Sequence, residues 1–311
     1  MIYTVTLNPS VDFLVRLEEL ELGELNRMKR GKKIPGGKGI NVSRALRQIG
    51  IPSVATGFIG GFTGGFITDW LKREDIQIGF IDTMDETRIN IKLNTTSDNI
   101  STSINGRGPN ISRTEVQEFL YYMSRVREGD VVIISGSIPP SVDRDIYHRL
   151  VAICNANKAD FVIDTDLDIV LDSLKFNPLL IKPNLDEIED MFGEKVEDYD
   201  KLIPYGKKLL RMGAKNVIIS LGLDGSFLFT GDSVYRVYGV EGECRDYIGA
   251  RDSMIAGFIG TLFRTSNKYE AFKVATAAAS ATAFTDGIAS GDEIRAQIEN
   301  VRIEKIEDGR Q

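Results

Sequence analysis

The sequence is poor in residues that several kinds of active site require. Two cysteines in 311 residues, Cys154 in a helical pattern and Cys244 in a turn-rich stretch, support neither a disulfide framework nor a zinc centre. Both read as structural. The single histidine, His148, lies in a mixed helical stretch and would have to carry any Ser-His-Asp triad or multi-histidine metal site alone. A surface or core role is expected for it. No stretch approaches about 18 consecutive apolar residues. The opening Ile2-Tyr3-Thr4-Val5-Thr6-Leu7 lacks the charged start and long apolar segment of a signal peptide. A cytoplasmic location without a membrane partner is expected. The net charge of -7 comes with no long basic run, so there is no electrostatic footprint for nucleic acid. Also missing are a Gly-x-Gly-x-x-Gly after the first strand and a Walker-type Gly-x-x-x-x-Gly-Lys-Ser/Thr, which removes the sequence support for a dehydrogenase or a P-loop enzyme.

What is present has the make-up of an ordinary globular protein, with 42% hydrophobic and 27% charged residues. No repeat, low-complexity tract or linker divides it, so residues 1–311 are expected to form a single domain. Apolar runs of strand length recur at Ile2 to Leu7, Val54 to Phe58, Val131 to Ile134, Phe161 to Ile163, Leu179 to Ile181 and Val217 to Ser220. Most do not alternate, as strands buried on both faces of a parallel sheet would not. Helical patterns lie between them, around Val42 to Ile49, Phe66 to Leu71, Val116 to Met123 and Ile146 to Ile153. That order predicts a doubly wound α/β sheet. From Arg88 to Ile104 the rhythm changes: Ile89, Ile91 and Leu93 alternate with Asn90, Lys92 and Asn94. Period two with polar partners predicts a half-exposed antiparallel strand. The expectation is a small sheet from about residues 12–35 and 86–106, projecting as a cover over a site.

Ligands of open α/β sheets bind beyond the carboxyl ends of the strands. The residues that follow the expected strands are Asn8-Pro9-Ser10-Val11-Asp12, Ser135-Gly136-Ser137, Asp164-Thr165-Asp166, Lys182-Pro183-Asn184 with Glu187, and Leu221-Gly222-Leu223-Asp224-Gly225. Small, acidic and amide side chains thus collect on one rim. Gly36-Gly37-Lys38-Gly39 precedes a helix that carries Asn41, where free backbone N–H groups can face an anion or hydroxyls, although a tight turn alone would also call for these glycines. A second loop, Gly249-Ala250-Arg251-Asp252, leads into another helix. Asp252 in its first turn is placed either as a general base beside an anion hole or simply as an acid favoured at a helix N-terminus.

Taken together, Thr-Leu-Asn-Pro-Ser-Val-Asp at the start, Pro35-Gly-Gly-Lys-Gly-Ile-Asn-Val-Ser-Arg44, Ser135-Gly-Ser-Ile-Pro-Pro140 and Lys182-Pro-Asn-Leu-Asp-Glu187 resemble the ribokinase or PfkB family of sugar kinases. The likeness is greatest to the branch that holds 1-phosphofructokinases and tagatose-6-phosphate kinases. It implies a ribokinase-like three-layer α/β/α sandwich with a β-sheet lid, often used for dimer contacts. It also implies ATP, Mg²⁺ and a sugar phosphate as the small-molecule partners. By resemblance Asp12, Gly36, Gly37, Lys38 and Asn41 line the sugar pocket, with Ser137 on the same side. Lys38 and Arg88 are the candidate cations for the sugar's phosphate. Asn184 and Glu187 match the Asn-x-x-Glu motif that organises Mg²⁺ and phosphates. Ser220, Gly222 and Gly225 match the nucleotide loop, and Asp252 matches the base.

Two departures stand out. Where the family has Gly-Ala-Gly-Asp, this chain has Gly249-Ala250-Arg251-Asp252. A non-glycine residue forced into a left-handed conformation costs roughly 1–2 kcal/mol, and loss of one aimed donor costs on the order of 10²–10³ in rate. Arg251 is therefore expected either to impair phosphoryl transfer, leaving a protein that binds without efficient catalysis, or to add positive charge to the transition state. The second departure is Asp164-Thr165-Asp166-Leu167-Asp168 in place of the family's more usual Asp-x-Ser-Gly-Glu, which bears on the wall beside the phosphates.

Overall fold

A computed structural model describes residues 1–97, 100–245 and 247–308. Strand β1 (Ile2–Thr6) leads into β2 (Ser10–Leu17) and β3 (Arg30–Gly36), which runs into helix α1 (Lys38–Gln48). Then come β4 (Ser53–Ile59), α2 (Gly61–Arg73), β5 (Gln77–Asp82), β6 (Arg88–Thr95) and β7 (Ser101–Asn105). The alternation continues through α3 (Arg113–Met123), β8 (Val131–Ser135), α4 (Ile146–Ala156), β9 (Asp160–Asp164), α5 (Leu167–Ser173), β10 (Leu180–Ile181), α6 (Leu185–Phe192), α7 (Leu202–Arg211) and β11 (Asn216–Ser220). A meander of β12 (Gly225–Thr230) and β13 (Ser233–Tyr238) precedes α8 (Ala250–Thr265), α9 (Lys268–Ala283), α10 (Gly291–Ile298) and β14 (Ile303–Asp308).

The main sheet has the order β14-β13-β12-β11-β10-β9-β8-β1-β4-β5. From β11 to β5 neighbours run parallel, and β12, β13 and β14 complete one edge as antiparallel strands. The unalternating apolar runs are explained by helices on both faces. In β8, Val131 and Ile133 pack with residues of α1, α8 and α9, while Val132 and Ile134 pack with residues of α3 and α4. This is the expected three-layer α/β/α arrangement. The strands β5, β12, β13 and β14 were not among the expected ones: β5 and β14 lie at the sheet's edges, β5 with a single buried position, and the turn at Gly222 and Gly225 masks the hairpin behind it.

The second sheet, ordered β3-β2-β6-β7, falls where a cover was expected. Asp98 and Asn99 in that stretch, like Gly309 to Gln311 at the end of the chain, lie outside the described residues. One detail is corrected: β6 is antiparallel to β7 but parallel to β2. The chain leaves β2 through β3, crosses α1, β4, α2 and β5, and so returns to β6 in the original direction. The alternation in β6 divides the lid into two faces. Asn90 and Lys92 share a face with Asp12, whereas Ile91 lies between Phe13 and Ile104 in register on the other. Among the described residues no helix is long and apolar enough to cross a membrane.

Helix α8 is buried along residues Asp252 to Thr261, which fixes the position of everything in its first turn. It lies against α9 at small residues: a Cβ on Gly257 would come within 2.6 Å of Ala275 Cα and 2.8 Å of Val274 O. Alanine at 257 gains about 1 kcal/mol of helix propensity, but overpacking against backbone costs about 1–3 kcal/mol. Gly257→Ala is expected to lose up to about 2 kcal/mol net in urea unfolding; a gain in stability would show that α8 and α9 separate freely.

Candidate active site

Because β8, β9, β10, β1 and β4 are parallel, their carboxyl ends share one rim, and Ser135, Asp164, Lys182 and the Asn8 to Asp12 turn come together there. The lid supplies the roof. Asp12, buried on β2, accepts hydrogen bonds at Oδ1 from Ser10 Oγ (2.7 Å) and Asn90 Nδ2 (2.9 Å), and its Oδ2 lies 3.1 Å from Lys92 Nζ. Gly36 closes β3 against this carboxylate: a Cβ there would fall 2.5 Å from Asp12 Oδ1, so only glycine fits. Gly37 follows at φ 123°, conformational freedom that lets β3 turn into α1.

Helix α1 then presents two of the expected residues inward. Lys38 Nζ pairs with Asp164 Oδ2 at 3.0 Å, and Asn41 Nδ2 donates to Asp252 Oδ2 at 2.8 Å. Arg88, at the start of β6, donates to Asn8 O (3.0 Å) and Gly106 O (2.9 Å), and its Nε is buried without a partner among the described residues. Its guanidinium thus braces the lid onto the first loop. Ser137 Oγ stands 3.5 Å from Asn8 Nδ2.

The loop before α8 resolves the expectation of strain. Gly249 is the residue with a positive φ (80°), whereas Ala250, Arg251 and Asp252 already belong to the helix. Arg251 therefore carries no left-handed strain. Ser253 N donates to Gly249 O at 2.7 Å and closes the first turn. The Arg251 guanidinium donates to Glu187 Oε1 (3.1 Å) and Oε2 (3.3 Å) and lies 4.0 Å from Asp164 Oδ1. Glu187 also serves α6: with Asn184 it forms a capping box, Asn184 Oδ1 accepting from Glu187 N (2.7 Å) and Glu187 Oε2 from Asn184 N (2.9 Å).

These charges act on one another in a dry setting. Burial, reinforced by the neighbouring Asp164 carboxylate, pushes the Asp252 carboxyl up to about 6, against the pull of Asn41, Lys38 and Lys182. Burial would also raise Asp164, but Lys182, Lys38 and Arg251 together outweigh it and hold that carboxyl below its ordinary range. Burial lowers the Lys182 ammonium to about 8, with Asp164 opposing. Lys182, 3% exposed and with no hydrogen-bond partner for Nζ among the described residues, was named at the rim but given no role, and Lys92 was not among the expected site residues. Signals for both existed. Lys182 ends an apolar strand, and Lys92 shares the period-two face of Arg88 and Asn90.

On the far side of Arg251 a cavity of about 470 Å³ opens. Asn184, Ser220, Gly222 and Gly225 line it, together with Leu221, Tyr238, Tyr247, Ala279 and Phe284. Its wall is made where β11 hands over to β12, and Gly222 (φ 63°) and Gly225 (φ 105°) make the turn. Ser220 is held to the neighbouring loop by its N–H donating to Pro183 O at 3.0 Å. In the other departure, Asp164 faces the site, whereas Asp166 and Asp168 lie at the surface and bind Arg144 (3.4 and 2.9 Å). His148 is likewise outside the site, 3.9 Å from Asp172, and Cys154 is buried in α4.

Among the described residues no group of three or more His, Cys, Asp or Glu side chains could hold a metal unaided. Mg²⁺ normally takes one or two carboxylates and completes its shell with phosphates and water. Glu187 could offer such a carboxylate, but its oxygens are already turned to Asn184 N and Arg251. The donor set suits a metal carried mainly by the phosphates of a nucleotide.

Over residues 5–295 the chain matches the pfkB family carbohydrate kinase pattern. It is 39% identical over 306 residues to the 1-phosphofructokinase of Bacillus subtilis, a match covering 98% of this chain and 100% of that one. It is 36% identical over 289 residues to the D-tagatose-1-phosphate kinase of Bacillus licheniformis, covering 93% and 94% of the two chains. Among solved structures, phosphofructokinase-2 from Escherichia coli in complex with substrates and products aligns with a TM-score of 0.91 over 96% of this chain and 98% of that one; at 24% identity this speaks for the fold. The lid over a polar pocket, the buried aspartate at the head of α8 and these full-length likenesses agree, and the chain belongs to the pfkB family of carbohydrate kinases.

Proposed function

We propose that this chain is an ATP-dependent kinase of ketohexose phosphates, with fructose 1-phosphate as its substrate and fructose 1,6-bisphosphate as its product. The observation that carries the proposal is the placement of Asp252. It is buried, accepts a hydrogen bond from Asn41, and sits in the first turn of a long helix whose Ala250, Arg251 and Met254 line the apolar cavity. In this reading Asp12, Asn90, Gly36 and Gly37 hold the sugar hydroxyls, and Ser137 closes the pocket. Lys38 and Arg88, joined by Lys92, face its phosphate. ATP lies along Ser220, Gly222 and Gly225, with Asn184 toward its phosphates. Mg²⁺, when bound with Glu187 as a partner, supplies positive charge to those phosphates.

The chemistry then follows from the side chains present. The Asp252 carboxylate accepts the proton of the sugar's O6 hydroxyl as that oxygen bonds to the γ-phosphorus, and the bond to ADP breaks. Backbone N–H groups at residues 249–252, strengthened by the helix dipole, hold the charge of the phosphoryl group in flight. A second substrate reading rests on the Bacillus licheniformis relative: tagatose 1-phosphate differs from fructose 1-phosphate only at C4 and offers the same O6. The tagatose 6-phosphate suggested by the motifs has its O6 already phosphorylated and would have to accept the phosphoryl group at O1 instead. The test is ADP release with Mg·ATP and fructose 1-phosphate, fructose 6-phosphate, tagatose 1-phosphate, tagatose 6-phosphate or unphosphorylated sugars. Fructose 1-phosphate is expected to turn over fastest; silence with every ketohexose phosphate would refute the assignment.

A base whose carboxyl titrates near 6 must be ionised to work. The rate constant kcat/KM is therefore expected to fall about tenfold per pH unit below pH 6; a profile flat to pH 5 would remove Asp252 from the role. The same burial affects stability. With its folded value raised from 3.8, Asp252 favours the fold fully below pH 3.8, and that contribution is lost as pH rises through about 6. At pH 8 the penalty is on the order of 3 kcal/mol. Asp252→Asn, which keeps an acceptor for Asn41, is expected to lower kcat by at least about 10³ while raising the unfolding midpoint at pH 8.

The outer lid face supports a homodimer. Ile89 (44% exposed) and Ile104 (57% exposed) stand there with Phe13, Ile91 and Leu93, a contiguous apolar surface on a projecting sheet. Sedimentation is expected to show a dimer that Ile104→Asp converts to monomer, and a monomeric parent protein would contradict this.

A further inference from the structure

We propose that Arg251 is the cation that binds the polyphosphate of the nucleotide, exchanging Glu187 for the phosphates when nucleotide enters. The proposal rests on the reading of the apolar cavity as the nucleotide site. Three observations lead to it. Among the described residues lining that cavity, Arg251 is the only lysine or arginine, and its companions include two acids, Asp186 and Asp224. An anion carrying several negative charges thus finds one side-chain cation along the whole wall. Arg251 also lies in the first turn of α8, a 16-residue helix whose positive end faces the same place. Its guanidinium is only partly satisfied: one terminal nitrogen shares the two oxygens of Glu187, Asp164 Oδ1 is 4.0 Å away, and Nε is buried with no partner among the described residues.

The geometry shows why the exchange is favourable. Glu187 retains the Asn184 N–H when Arg251 leaves, so the carboxylate is not stranded. Arginine presents a planar fork of donors that matches two phosphate oxygens at once, and it stays charged at every working pH. The other cations near Asp164, Lys38 and Lys182, are not on the cavity wall and remain to balance Asp164 after the exchange. Arg251 thereby lets this protein bind nucleotide phosphates before any metal contributes.

Calorimetric titration of adenosine, ADP and ATP in EDTA tests this without recourse to turnover. The full chain is expected to bind metal-free ATP at least tenfold more tightly than adenosine. Arg251→Gly is expected to lose that increment while binding adenosine unchanged, which also reports a folded cavity. Arg251→Lys, a point charge without the fork, is expected to recover part of it. Equal or tighter ATP binding by Arg251→Gly, with adenosine unaffected, would overturn the proposal and make the arginine an obstruction. Failure of adenosine and ATP alike to bind the parent protein would instead overturn the nucleotide reading of the cavity, and this inference with it.

Discussion

Everything at the rim of the sheet depends on how one buried carboxylate, Asp164, is balanced. It ends β9 in a water-poor setting where an isolated charge is very expensive. Three cations from three different elements answer it: Lys38 from the head of α1, Lys182 from the end of β10 and Arg251 from the head of α8. The same cluster holds Asp252, which shares the burial and several of the cations but is raised rather than lowered. Two acids a short way apart are thus pushed in opposite directions, as acid and base assignments in active sites commonly are. Asp164 keeps the cations in place, and Asp252 is left poised to take a proton.

The scaffold explains why such a cluster holds. Hydrophobic side chains cover both faces of the sheet, and the two helices that bear the site's inward residues, α1 and α8, pack on the same face. The Asn41 to Asp252 hydrogen bond joins those helices at the point where their N-termini meet the rim. A negatively charged group at that position gains from both helix ends at once. Neither helix is free to drift, because α8 is buried along most of its length and is in close contact with α9.

Much of this was legible in the residues. The unalternating strands identified the parallel sheet, and the change to period two at Ile89 marked the lid. The direction of β6 was not legible, since its pairing with β2 depends on a connection spanning residues 18–87 that no local pattern encodes. Of the site, the glycines before α1, Asp12, Asn41 and Asp252 could be found from their places after strands and before helices. Lys182 was hidden because a lysine after a strand ordinarily means solvent, and its burial arises from helices distant in sequence. Arg251 was misjudged in one respect: replacement of a glycine implied backbone strain, yet the positive φ belongs to Gly249, and the effect of the change lies in its side chain. Asn184 and Glu187 show a further ambiguity, for the same two residues cap a helix and face the site.

The alternation along the lid has a bearing on how such a chain can vary over time. A substitution in β2 or β6 alters one position, whereas an insertion or deletion of a single residue would turn every later side chain to the opposite face. Asn90 and Lys92 would then leave the face of Asp12 while Ile91 and Leu93 took their place beside it. The places where a change of length would leave this parity intact are connections such as residues 18–29 between β2 and β3, where exposed Leu22 and Leu25 pack on neither face.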